Sequence, residues 1–231
     1  VRWSPTIDYV HYVVLPLLSR LGYVAKLKLL RRGHYPRGGG RVSMTVQPCK
    51  GLKPLLLTER SEIKEVRGIS HCVKLPSHVA KRQADAAQDV LKKMDQLNVF
   101  VKLETYSLET DPHIGPGSGI VLYTDEGSGT VLGADNVGER GKPAEEVGRQ
   151  AARQLAEEIR SGAPVDRHMS DIFIPYLAVA EGKSEFRTSQ ITMHTITNAK
   201  MAELVSGAQI RIEGELGNPG AVTVNGINLR P

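Results

Sequence analysis

An order of helix, glycine, strand, glycine-rich turn and strand fills residues 5–47, and the same order returns at 195–225. Such a recurrence points to a duplicated α/β unit, which must bury one face against a neighbour. In the first copy Ile7, Val10, Val14, Leu17 and Leu21 share one face of a helix over 5–21. Pro5 suits its first turn, Pro16 is expected to kink it, and Gly22 to end it. Strands follow at 24–30 and 41–47, the latter with Val42, Met44 and Val46 on one side. In the second copy 195–206 is helical, Gly207 stops it, and strands at 208–213 and 221–225 flank Asn218-Pro219-Gly220.

Residues 64–162 interrupt the scheme with a β-α-β-β-β-α order of their own. The helix after Pro76-Ser77 has the stripe Ala80, Ala84, Ala87, Leu91 and Met94, and the one that Pro143 opens has Val147, Ala151, Leu155 and Ile159. Asp166 is positioned to cap a further helix, reaching about residue 180, before a short strand at 184–188. Short strands mixed with helices give an α+β class with layered sheets and helices, and 64–162 reads as an inserted subdomain.

Charge is distributed unevenly. Residues 1–58 hold ten Lys or Arg and one acid, Asp8, for a net +9, whereas the remaining 173 residues hold 20 bases and 24 acids, for −4. A block of this kind attracts polyanions such as RNA, DNA or nucleotide phosphates, and it is equally compatible with a solvated basic face. No apolar run reaches the roughly 18 residues of a membrane span, and no secretory signal opens the chain. With only Cys49 and Cys72, a disulfide framework and a structural zinc site are excluded, and the cytoplasm fits. The opening Val1-Arg2-Trp3-Ser4-Pro5, without an initiator Met, reads as the start of a fragment.

Gly38-Gly39-Gly40 is the loudest local signal. Its amides suit a phosphate, with Arg32, Arg37 and Arg41 around them, and it suits equally a hairpin connection between two strands. No helix follows, so Walker A and Rossmann loops are excluded. Gly115-Pro116-Gly117-Ser118-Gly119 reads as a plain turn. His194 stands at a junction before a helix, where a side chain can point into a cleft. Asp171 reads from spacing alone as a helix-surface acid near His168.

The string Arg32-Gly33-His34-Tyr35-Pro36-Arg37-Gly38-Gly39-Gly40-Arg41-Val42 resembles the signature of the RNA 3′-terminal phosphate cyclases at every fixed position. The likeness extends along the chain, through Trp3-Ser4-Pro5, Pro16-Leu17-Leu18, Gly138-Glu139-Arg140-Gly141-Lys142, Val165-Asp166-Arg167-His168-Met169-Ser170-Asp171 and Met193-His194-Thr195. The resemblance implies a fold of repeated four-stranded sheets, each with two helices, plus a smaller insert. Residues 1–63 would then belong to the repeat-built domain, 64–162 to the insert, and 163–231 to the last repeat.

It also implies ATP-dependent conversion of an RNA 3′-phosphate to a 2′,3′-cyclic phosphodiester through a histidyl-AMP and an RNA adenylate. His194 matches the histidine nucleophile, and His168, Met169, Ser170, Asp171 and Ile172 match the ATP-contacting stretch, with His168 where Tyr is common and Ile172 where Gln is. Arg32, Arg37 and Arg41 become candidates for RNA phosphates, and Mg²⁺ or another divalent cation is expected with the triphosphate. Family members carry further repeat segments, with acidic and arginine site residues, ahead of the Trp-Ser-Pro segment. Two other readings remain: a non-catalytic relative that binds ribosomal RNA during processing, and a plain nucleic-acid-binding module that needs no ATP.

Overall fold

A computed structural model describes residues 4–94, 97–107, 109–125, 127 and 129–230; Trp3 of the opening turn and Ser128 of the 127–129 turn lie outside them. The first helical segment is built of α1 (Ile7–Tyr9), a π turn (Val10–Val14) and α2 (Leu15–Ser19). Leu15 N–H reaches back to the Val10 carbonyl, one residue further than in an α-helix. Pro16 sits just beyond, so the wide turn absorbs the ring and the missing donor where a kink is expected from sequence. The extra residue also rotates the buried face. Tyr9, Val13, Leu17, Leu18 and Leu21 are buried, whereas Ile7 and Val10 stay only half-buried.

β1 (Ala25–Arg31) and β2 (Arg41–Val46) form an antiparallel two-stranded sheet. The clean alternation in β2 does not correspond to burial: Val42, Met44 and Val46 are 42–50% exposed. β3 (Leu56–Leu57) is a two-residue strand that sequence periodicity does not announce. β4 (Glu65–Val73), α3 (His78–Leu91), β5 (Asn98–Glu104), β6 (Gly117–Thr124), β7 (Gly133–Val137) and α4 (Ala144–Arg160) reproduce the expected β-α-β-β-β-α order. Their sheet has the order β5-β4-β6-β7, with only β4 and β5 parallel.

α5 (Arg167–Val179), β8 (Glu181–Thr188), α6 (Met193–Ser206), β9 (Gln209–Glu213) and β10 (Gly220–Ile227) complete the chain. With β3 they give a second four-stranded sheet, β3-β8-β10-β9, and two helices. The Asp166 and Thr192 side chains cap α5 and α6, and Gly207 ends α6 in the left-handed region at φ +80°. These are α+β layers.

Two apolar clusters hold the layers. One joins Tyr9, Val13 and Leu17 to Met169, Phe173, Phe186 and Val222; the other joins Val66, Leu91 and Leu132 to Val147, Ala151 and Leu155. β6 serves both, because successive residues point to opposite faces: Ile120 and Leu122 enter one cluster and Val121 the other.

Candidate functional site

α5 and α6 lie against each other with their first turns adjacent. The Ser170 hydroxyl meets the Thr195 hydroxyl at 2.9 Å in a buried contact, and Asn198 Nδ2 donates to the Asp171 carbonyl at 3.1 Å. Thr192 accepts from the Thr195 N–H at 3.1 Å and fixes the start of α6. His194, the second residue of α6, is held exposed beside this junction. Two helix N-termini side by side give a positive potential suited to phosphate groups.

Burial pushes the Asp171 carboxyl up, against the opposing pull of His168 and His194. His168 is exposed, with Nε2 at 2.9 Å from Gln154 Nε2 of α4, and its ring meets Tyr9 edge-on at 6.2 Å. Of the five residues 168–172, His168 is exposed, Asp171 is half-buried, and Ile172, also half-buried, packs against the core. Met169 and Ser170 are fully buried, and their side chains pack beneath the turn.

Beneath this turn is Asp166, also fully buried. Its Oδ1 accepts from the Tyr9 hydroxyl at 2.7 Å and from the His168 and Met169 N–H groups at 3.0 and 2.9 Å, and its Oδ2 accepts from the Gly133 N–H at 2.9 Å. Burial and the adjacent Asp166 hold the Tyr9 hydroxyl well above its ordinary range, which keeps it a donor.

The signature residues gather elsewhere, against the loop before β6 and that strand's first residue, Gly117. A Cβ on Gly39 would stand 2.2 Å from Ile114 Cδ1, one on Gly115 would stand 2.9 Å from Arg37 Cβ, and one on Gly117 would stand 2.0 Å from His34 Cγ. The two glycine-rich loops interlock. The triple glycine thus does more than connect a hairpin, and of the 115–119 segment, expected as a plain turn, residues 117–119 already belong to β6.

Arg37 and Arg41 are exposed. Arg32 is not. Its side chain is 4% exposed and spans two carboxylates, with Nη1 and Nη2 on Asp8 at 2.5 and 3.0 Å and Nε and Nη2 on Glu104 at 2.7 and 2.8 Å. Burial opposes the charge, and the bonds to Glu104 and Asp8 more than offset it, so the guanidinium stays protonated. Arg32, a candidate for RNA phosphate from the resemblance, thus spends its donors on joining α1 to β5. Asp8 and Glu104 carry no ligand signature, yet Asp8 is the sole acid among ten bases of residues 1–58, and that isolation is a signal.

Among the described residues no group of three or more His, Cys, Asp or Glu is placed to hold a metal ion.

The family model for RNA 3′-terminal phosphate cyclase matches residues 1–212. Relatives named RNA 3′-terminal phosphate cyclase include those of Desulfurococcus amylolyticus, 45% identical over 100% of this chain and 65% of its own length, and Methanopyrus kandleri, 47% over 97% and 64%. That of Caldivirga maquilingensis is 51% identical over 90% of this chain and 58% of its own length. The chain thus spans 58–65% of the length of these relatives. The likeness runs through the interlocked signature loop and the paired helix starts alike, and by it the chain belongs to the RNA 3′-terminal phosphate cyclase family.

Proposed function

We propose that this protein supplies the nucleotide-transfer centre of an ATP-dependent RNA 3′-terminal phosphate cyclase, with His194 as nucleophile. The observation that carries this reading is the exposed imidazole at the start of α6, beside the start of α5, where Asn198 of α6 donates to the Asp171 carbonyl. A neutral imidazole nitrogen attacks the α-phosphorus of ATP; the P–N bond forms as the bond to pyrophosphate breaks. An oxygen of the RNA 3′-phosphate then displaces the imidazole and takes the AMP. The adjacent 2′-hydroxyl attacks the 3′-phosphorus, loses its proton and expels AMP, leaving the cyclic end.

His168, Asp171 and Ile172 border the nucleotide, while Ser170 and Met169 seat the turn. A divalent cation such as Mg²⁺, bound with the triphosphate, would neutralise the charge of the pyrophosphate leaving group. The division into 1–63, 64–162 and 163–231 follows the same reading. Both thiols are free, which suits work on RNA in the cytoplasm, and among the described residues no helix is long and apolar enough to cross a membrane.

Incubation with α-phosphate-labelled ATP and Mg²⁺ tests this. The label is expected to survive alkali, to be lost in acid, to map to the His194 peptide and to disappear in His194→Ala. An adduct on another residue, or cyclisation without an adduct, defeats the reading.

A further inference from the structure

We propose that the groove between the first helical segment and β1 holds unpaired bases of the RNA strand, stacked on His11. The identity of the polyanion rests on the cyclase reading above; the groove itself rests on four observations.

First, three rings form a near-parallel column. His11 lies on Tyr12 at 4.5 Å and 5°, and Tyr12 lies on Tyr123 of β6 at 4.7 Å and 6°. Residues i and i+1 of an ordinary α-helix do not face each other. Here both belong to the π turn, whose wider winding accompanies the alignment. A column of this kind presents a preformed π-face at low conformational cost.

Second, the column borders a groove of about 320 Å³, lined by His11, Tyr12, Leu27, Leu29 and Ile69 among others. That is within the range of about 300–1,000 Å³ of small-molecule sites. Leu27, Leu29 and Ile69 are half-buried and give it apolar walls.

Third, the polar groups at one end are already engaged. Asp8 and Glu104 close on Arg32, and the Tyr106 hydroxyl donates to Glu104 at 2.7 Å. Those four side chains are not free to read base edges, so stacking on the rings dominates there.

Fourth, the rim is basic. Lys28, exposed on β1, lines the groove, as does Arg31 at the end of that strand. They belong to the stretch carrying ten bases against one acid. Aromatic stacking beside a cationic track is the pattern of single-strand recognition. The same helical segment sends Tyr9 to Asp166 at the start of α5, so one rigid element serves the groove and the turn that seats the nucleotide.

The test is a titration of the protein with a 3′-phosphorylated oligoribonucleotide that carries a 5′ fluorophore for anisotropy and an internal 2-aminopurine to report stacking. The 2-aminopurine emission is expected to be quenched on binding. His11→Ala is expected to weaken binding about tenfold and abolish the quench, whereas His11→Phe, which keeps an aromatic face, restores both. Lys28→Ala, at an exposed strand position, is expected to lower the slope of log affinity against log salt by about 0.7.

Parental affinity and quench in His11→Ala, equal losses in His11→Phe and His11→Ala, or an unchanged slope in Lys28→Ala would each overturn the groove. Labelling with ATP on the same preparations separates the two readings. A His194 adduct in protein whose RNA binding ignores His11 removes the groove and leaves the cyclase; quenching that depends on His11 without an adduct supports the groove and removes the cyclase.

Discussion

His34 and His71 stand Nε2 to Nε2 at 3.3 Å, joining the signature loop to β4. One ring must donate and the other accept, so the contact needs an uncharged imidazole. Burial, reinforced by Arg32, pushes His34 down to about 4 and His71 well below its ordinary value. For a base with a depressed pKa, the unfolded chain binds more protons between about 4 and the ordinary value of about 6.5. Stability is therefore full above about 6.5 and falls as pH drops toward 4. Urea unfolding across that window is expected to show a falling midpoint in the parent and a flatter one in His34→Gln. Identical pH dependence in the two proteins would refute the assignment.

Gly117 and His34 are coupled by space alone. A methyl group at Gly117 meets the His34 ring at 2.0 Å, so Gly117→Ala is expected to cost about 1–3 kcal/mol by overpacking. In a His34→Ala background most of that cost should vanish. A double-mutant cycle by denaturant unfolding checks it, with a coupling of at least about 0.5 kcal/mol expected. Additive losses would mean the loops separate without penalty.

Arg32 and the pair Arg37 and Arg41 should behave oppositely. Arg32→Ala leaves Asp8 and Glu104 without their buried partner and is expected to cost about 3–5 kcal/mol of folding stability. Arg37→Ala with Arg41→Ala, at exposed positions, is expected to leave stability within about 0.5 kcal/mol per site and to flatten the salt dependence of RNA binding by about 0.7 per lost phosphate contact. Denaturation and filter binding at several salt concentrations read the two effects apart. A parental salt slope in the double variant would return both arginines to the loop surface.

Asp171→Ala is expected to slow formation of the labelled His194 adduct roughly ten- to a hundredfold, the equivalent of about 1–3 kcal/mol for one lost polar contact. Its backbone carbonyl still accepts from Asn198, so circular dichroism and melting should change little. Unchanged adduct kinetics would make Asp171 an ordinary acid of the helix surface.

The parts legible in the sequence are those written in local chemistry. Glycine and proline punctuation gives the element order, the Asp166 cap is real, and Gly207 ends α6 as expected. What needs tertiary structure was hidden. β3 exists through its parallel pairing with β8, Leu57 beside Phe186, and two residues carry no period of their own. The π turn shifts the helical face by one residue, which a fixed 3.6-residue period cannot anticipate. The inward turn of Met169 was in reach: His168, Asp171 and Ile172 have the i, i+3, i+4 spacing of one face, and Met169 shares the other with Phe173.

Asp166 has a consequence for the order in which the molecule becomes itself. Its local bonds cap α5 as soon as that helix forms, but the Tyr9 hydroxyl comes from 157 residues away and the Gly133 amide from 33. Contacts of such sequence separation are closed late, because the intervening chain must give up its freedom first. A nascent chain presents residues 9 and 133 long before the aspartate that will join them. The turn bearing His168 and Asp171 thus reaches its final seat only when both distant strands of the polypeptide have arrived, and a partly assembled molecule has a capped helix without its anchorage.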